Sequence, residues 1–134
     1  MANLTVDKTK VGIVSASDAF DCPGDSGETI NAGVAVRIDT SDGELTVANG
    51  TTAAEARTCG IVAVDNGAGT YRVVRKGYLD LGDALDSLTY DDDVYLSDTD
   101  GRIADTAGTV TKLVGTVVPG WGHTTADKLL RVDL

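Results

Sequence analysis

Val94-Tyr95-Leu96-Ser97-Asp98-Thr99-Asp100-Gly101-Arg102-Ile103 is the stretch on which the fold turns. Apolar Val94 and Leu96 alternate with Tyr95 and Ser97, the period of a half-buried strand. Asp100-Gly101 then supplies a pair that tolerates positive φ, so the chain can reverse in a tight hairpin. The unit occurs twice. Fifty-eight residues earlier the chain reads Val36-Arg37-Ile38-Asp39-Thr40-Ser41-Asp42-Gly43-Glu44-Leu45. Val36 matches Val94, Ile38 matches Leu96, Asp42-Gly43 matches Asp100-Gly101, and Leu45 matches Ile103. The same offset aligns Gly50-Thr51 with Gly108-Thr109. Shortened by three residues, it aligns Gly60-Ile61-Val62 with Gly115-Thr116-Val117 and Gly27-Glu28-Thr29-Ile30 with Gly82-Asp83-Ala84-Leu85. The spacing describes one β unit used twice.

The rest of the chain supports that reading. Its 134 residues are enough for one domain with one core. Val, Thr and Gly are abundant, whereas Phe, Met and Pro are scarce, a balance that favours strands and tight turns over helices. Turn signals recur every eight to twelve residues. The expected fold is all-β: a compact antiparallel barrel or sandwich of short strands, with the repeated hairpin and one or two short helical turns.

In chain order, residues 1–14 are expected to form an N-terminal arm, as an edge or inter-subunit strand, and residues 15–134 a single β domain. Val11-Gly12-Ile13-Val14 is a candidate strand, and Ser17 to Gly27 reads as a loop from its Pro and Gly residues. Thr52-Ala53-Ala54-Glu55 has the form of a capping box and predicts a short helix. Ile61-Val62-Ala63-Val64 predicts a buried strand, and Thr70 to Leu81 the longest one. Within that strand Gly77 and the Val73-Val74 doublet point to a bulge. Gly82 to Leu88 predicts a helical turn, Val110 to Val118 an apolar strand, and Leu130, Val132 and Leu134 a last strand that pairs in this subunit or a neighbour.

The net charge of −10 argues against a nucleic-acid partner, which calls for a concentrated basic surface. No run approaches the roughly 18 apolar residues of a membrane-spanning helix. The first residues lack the basic and apolar regions of a signal peptide, so synthesis in the cytoplasm is expected. Cys22 and Cys59 read as free buried thiols, with a single disulfide as the alternative.

Catalytic chemistry has little to draw on. His123 is the only histidine, no Gly-x-Ser-x-Gly motif is present, and a loop histidine is the simpler reading. Asp98-Thr99-Asp100-Gly101 resembles part of a calcium loop, but Leu96 and Ala107 stand where that loop needs ligands. No enzyme activity, cofactor or metal is therefore expected, and Asp91-Asp92-Asp93 reads as a solvated turn. Arg72, Arg75 and Lys76 do not share one face of a strand, so ion pairing with nearby Asp residues is expected of them. Trp121, alone between two glycines, is either a loop anchor or an exposed aromatic for a partner.

The strand Asp93-Val94-Tyr95-Leu96-Ser97, the turn Thr99-Asp100-Gly101, the Thr/Ala/Gly-rich return and Val114-Gly115-Thr116-Val117 together resemble the small capsid decoration (cement) proteins of tailed bacteriophages. Ala32-Gly33 before a hairpin and the Gly60-Ile61 strand start belong to the same likeness, which covers roughly residues 27–134. The resemblance implies a non-enzymatic virion protein on the outer capsid surface. It would bind the major capsid (coat) protein, commonly as a homotrimer, and clamp neighbouring coat subunits of the expanded shell. Leu4, Val6, Lys8, Lys10, Val11, Ile13 and Trp121 are the expected contacts to coat protein or a neighbouring subunit. A host-attachment or carbohydrate-binding module is the alternative, although six aromatic residues scattered along the chain offer it little platform.

Overall fold

The computed structural model describes residues 2–120 and 128–134. Among these residues nine strands form one antiparallel sheet: β1 (Val11–Pro23), β2 (Ala35–Ile38), β3 (Leu45–Val47), β4 (Gly60–Gly67), β5 (Thr70–Leu81), β6 (Asp93–Leu96), β7 (Ile103–Ala104), β8 (Leu113–Pro119) and β9 (Lys128–Asp133). The sheet curls into a half-barrel. Its order, β3-β2-β4-β5-β9-β8-β6-β7, is the same from either end once each strand of the first half is matched to its counterpart in the second. β1 lies off this path, against β5.

The sequence repeat is therefore a structural repeat. Ile38 faces Leu45 in β2–β3, and Leu96 faces Ile103 in β6–β7. Val36 faces Gly60, and Val94 faces Gly115. The two glycines do the same steric work. A Cβ at Gly60 would collide with Val73 and the Val74 backbone, and one at Gly115 would collide with the Arg131 carbonyl. A glycine here lets the neighbouring strand approach closely. The matched halves meet where β5 pairs with β9, from Lys76–Asp133 to Leu79–Leu130.

Hydrogen bonds between the two hairpins draw the far ends of the sheet together. The Ala35 amide donates to the Gly101 carbonyl (3.0 Å), the Gly101 amide to Ala48 (2.7 Å), and the Gly50 amide to Ser97 (2.8 Å). The Asn49 side-chain amide donates to Asp100 at 2.7 Å. Asp98 accepts from both the amide and the hydroxyl of Thr109, each at 2.8 Å. The carboxylates that looked like calcium ligands are thus engaged in joining loops.

The main core is aliphatic, with Ile61, Val74, Leu79, Leu81, Leu85, Leu96, Ile103 and Leu130 all buried. A smaller cluster lies apart from it, made of Ile30, Val36, Leu45, Val62 and Val73 and flanked by Phe20, Cys22, Cys59 and Tyr71. β4 is buried at four successive positions, Gly60 to Ala63, because apolar groups cover both faces of the sheet there.

Three expectations are corrected. The loop expected over Ser17 to Gly27 is strand as far as Pro23. Bulges hide its alternation: the register against β5 shifts between Ile13 and Ser15, between Ala16 and Asp18, and between Asp18 and Ala19. Gly77 marks a close approach of β1 to β5, with Ser15 O only 2.5 Å from where its Cβ would lie. The predicted boundary between residues 14 and 15 accordingly falls inside β1. The helix expected after Thr52 is only a turn. The capping interactions form, with the Glu55 amide donating to Thr52 Oγ1 at 3.2 Å, but Thr58 and Gly60 have already left the helical path. Among the described residues the single helical element is a 3-10 turn at Lys8–Lys10, capped by the Asp7 side chain.

Candidate interaction surface

The predicted arm divides into two parts with different roles. Residues 2–4 are tied into this domain. The Leu4 amide donates to the Ile103 carbonyl at 2.9 Å, the Asp105 amide to the Ala2 carbonyl at 3.1 Å, and Asn3 bridges to Ala104. Arg102 donates from Nη2 to the Leu4 carbonyl at 3.0 Å, and Ser97 Oγ donates to Asn3 Oδ1 at 2.5 Å. Leu4 is 4% exposed and belongs to the core. It therefore cannot face a partner as expected; burying an aliphatic side chain removes it from any outer surface. Val6 and Val11 are half-buried against the same core.

The remaining predicted contacts sit further along. Lys8 and Lys10 are exposed in the 3-10 turn, and Ile13, 36% exposed, lies on β1. Trp121 and His123 lie outside the described residues. The structure thus brings Lys8, Lys10 and Ile13 together at the start of β1 and separates Leu4 from them.

What the sequence reading missed is the length of the edge that follows. β5 is the longest strand after β1, and it is paired along both sides. β1 runs along one side over its whole length. The other side is taken first by β4, over Thr70 to Val74, and then by β9, over Lys76 to Leu79. β1 itself has β5 on one side and, among the described residues, no strand on the other. The edges of β3 and β7 are covered by comparison. Glu28 accepts from the Val47 amide at 2.9 Å and the Asp25 amide donates to Leu45, while residues 2–4 line β7.

β1 contains no fully buried residue, although Val11, Val14, Ala19, Phe20 and Cys22 are half-buried. Asp18 and Asp21 pair across to Arg75 (3.7 Å) and Arg72 (3.8 Å). All four side chains are substantially exposed, so each pair stabilises the fold only slightly. Burial raises the Cys22 thiol, with Glu44 adding to the effect. Burial pushes the Cys59 thiol up to about 11, with Cys22 adding to it and Arg75 opposing it weakly. Both cysteines are free thiols in the structure.

A second surface is a cleft of about 460 Å³ lined by Phe20, Ile38, Arg57, Thr58, Cys59, Arg75 and Lys112. Sequence reasoning missed it because its residues come from β1, β2, β5 and two loops, with no spacing to link them. Among the described residues no cluster of three or more His, Cys, Asp or Glu could hold a metal ion, and no helix is long and apolar enough to cross a membrane. Compared with protein-family models, with curated proteins and with solved structures, the chain matches none.

Proposed function

We propose that this protein is a non-enzymatic structural domain that binds the outer surface of a tailed-phage capsid, as a homotrimer, and holds neighbouring coat subunits of the expanded shell together. The observation that carries the proposal is the unpaired outer edge of β1, thirteen residues long, on a domain whose other sheet edges are covered. An exposed row of backbone donors and acceptors is the usual template for adding a strand from another chain. The two extra residues in β1, Val14 and Ser17, restrict which strand can follow it, since a flat partner must accommodate both bulges.

On this reading the coat protein supplies the added strand, and Lys8, Lys10 and Ile13 flank its entry. The clamp works by linkage: a ligand that binds only the mature lattice stabilises that lattice by mass action. A trimer that docks at several such sites gains further through effective concentration. The net charge of −10 keeps such a domain away from packaged DNA.

Co-sedimentation with undecorated phage heads tests the proposal. Saturable binding to expanded heads but not to unexpanded proheads is the expected result. Failure to bind either would remove the capsid reading.

A further inference from the structure

The cleft between Phe20, Ile38, Arg57, Arg75 and Lys112 is unusual for this chain. Only eleven residues are Lys or Arg against twenty-one Asp or Glu, yet three of the eleven line one opening. Arg57 and Lys112 have no carboxylate within ion-pair distance among the described residues, and Arg75 has only Asp18, at 3.7 Å. The lining is apolar between these charges: Phe20 is half-buried and Ile38 is 41% exposed. Leu113, directly after Lys112, is 44% exposed. A positive rim around an apolar lining fits an acidic segment that carries a large apolar or aromatic side chain.

This chain presents such a segment. Tyr90-Asp91-Asp92-Asp93 precedes and enters β6, with Tyr90 47% exposed and Asp91 and Asp93 exposed. Its backbone is fixed. Asp91 holds a positive φ of 70°, its amide donates to the Val117 carbonyl at 2.7 Å, and Lys128 donates to the carbonyls of Asp86 and Leu88 just before it. Val117 lies toward the end of β8, whereas Lys112 immediately precedes its start. At about 3.4 Å per residue, roughly 17 Å of strand separates the two features, so one chain cannot close the contact on itself.

We propose that the acidic Tyr90–Asp93 turn of one copy seats in the Arg57/Arg75/Lys112 cleft of a second copy. A contact between two different surfaces of identical chains is heterologous, and its repetition gives a closed ring when the rotation closes. The inference deepens the trimer part of the proposed function and rests on that reading. It specifies which surfaces meet. β1 is left free along its outer edge, apart from Phe20 at the cleft.

The test is sedimentation equilibrium of the full chain, which reads self-association without any capsid and so fails independently of head binding. The wild-type protein should associate at about 0.1 M salt and dissociate at about 1 M, as the screening length falls from about 10 to about 3 Å. Arg57→Glu with Lys112→Glu, and separately Asp91→Lys with Asp93→Lys, should each weaken association by about 100-fold. The fourfold variant carrying both reversals should recover association to within about 10-fold of wild type, because the two reversed charges on each surface again face charges of opposite sign. Circular dichroism checks that each variant keeps the β fold. A monomeric wild type at low salt, association unaltered by either reversal, or a folded fourfold variant that stays monomeric would each overturn the inference.

Discussion

Truncating Leu4 to Ala distinguishes an arm that waits for a partner from a segment that completes the domain. In the structure Leu4 is 4% exposed and packs in the main core. The substitution removes its branched side chain and leaves a cavity next to Ile103, whose carbonyl accepts from the Leu4 amide. Leu→Ala at comparable sites costs about 2–5 kcal/mol, through lost transfer energy plus the cavity. The segment lies near the chain end and can relax, so the low half of that range, about 2–3 kcal/mol, is expected. For a domain of this size each kcal/mol lowers Tm by about 3–5 °C, giving a fall of roughly 6–15 °C. The assay is thermal and urea unfolding followed by circular dichroism, with Ile13→Ala as the comparison. Ile13 is 36% exposed, and its truncation should stay within about 0.5 kcal/mol of wild type. A Leu4→Ala change that also stays within about 0.5 kcal/mol would refute the placement of Leu4 in the core.

Gly115→Ala and Gly60→Ala should each destabilise by about 1–3 kcal/mol, since each new methyl group meets an adjacent strand, whereas Gly12→Ala, with nothing within 4 Å, should be nearly neutral; urea midpoints decide it. Cys59, whose thiol burial pushes up to about 11 from the ordinary 9.0, should make the fold lose stability as pH rises from about 9 to about 11. The sign follows because the unfolded chain gives up this proton first, and Cys59→Ala should flatten the slope in pH-dependent unfolding. Asp133 accepts a hydrogen bond from Lys76 at 2.7 Å, and that bond together with the Lys76 charge holds its carboxyl below 3.8. Its NMR titration midpoint should therefore lie below 3.8 and rise in Lys76→Met, and this contribution to stability is lost only as pH falls through that lowered midpoint.

The repeated hairpin was legible because a tight turn between alternating strands leaves a local signature. Asp100-Gly101 and Asp42-Gly43 reverse the chain, and the register of Leu96 with Ile103 repeats that of Ile38 with Leu45. β5 could be read from Thr70 to Leu81 for the same reason, whereas its one extra residue against β1 is Arg75, between the Val73-Val74 doublet and Gly77 on which the expected bulge rested. β1 could not. Ser15-Ala16-Ser17 carries no apolar alternation, and each bulge changes which side of the strand a residue faces, so periodicity fails where pairing continues. Leu4 was misread because a polar terminal segment looks the same whether it is free or hydrogen-bonded to β7. The basic cleft left no pattern at all, since Phe20, Ile38, Arg57, Arg75 and Lys112 meet only when the sheet curls. The one signal available was indirect: in a chain this acidic, a cation without a carboxylate partner stands out.

The account rests on the outer edge of β1 being open in the free protein and occupied on the capsid, and amide hydrogen exchange measures that directly. Residues 11–23 should exchange faster than β5 in the free protein, because β1 is paired on one side only, and should become protected when the protein is bound to expanded heads. Bound protein whose β1 amides exchange as they do in the free state would contradict strand addition at this edge.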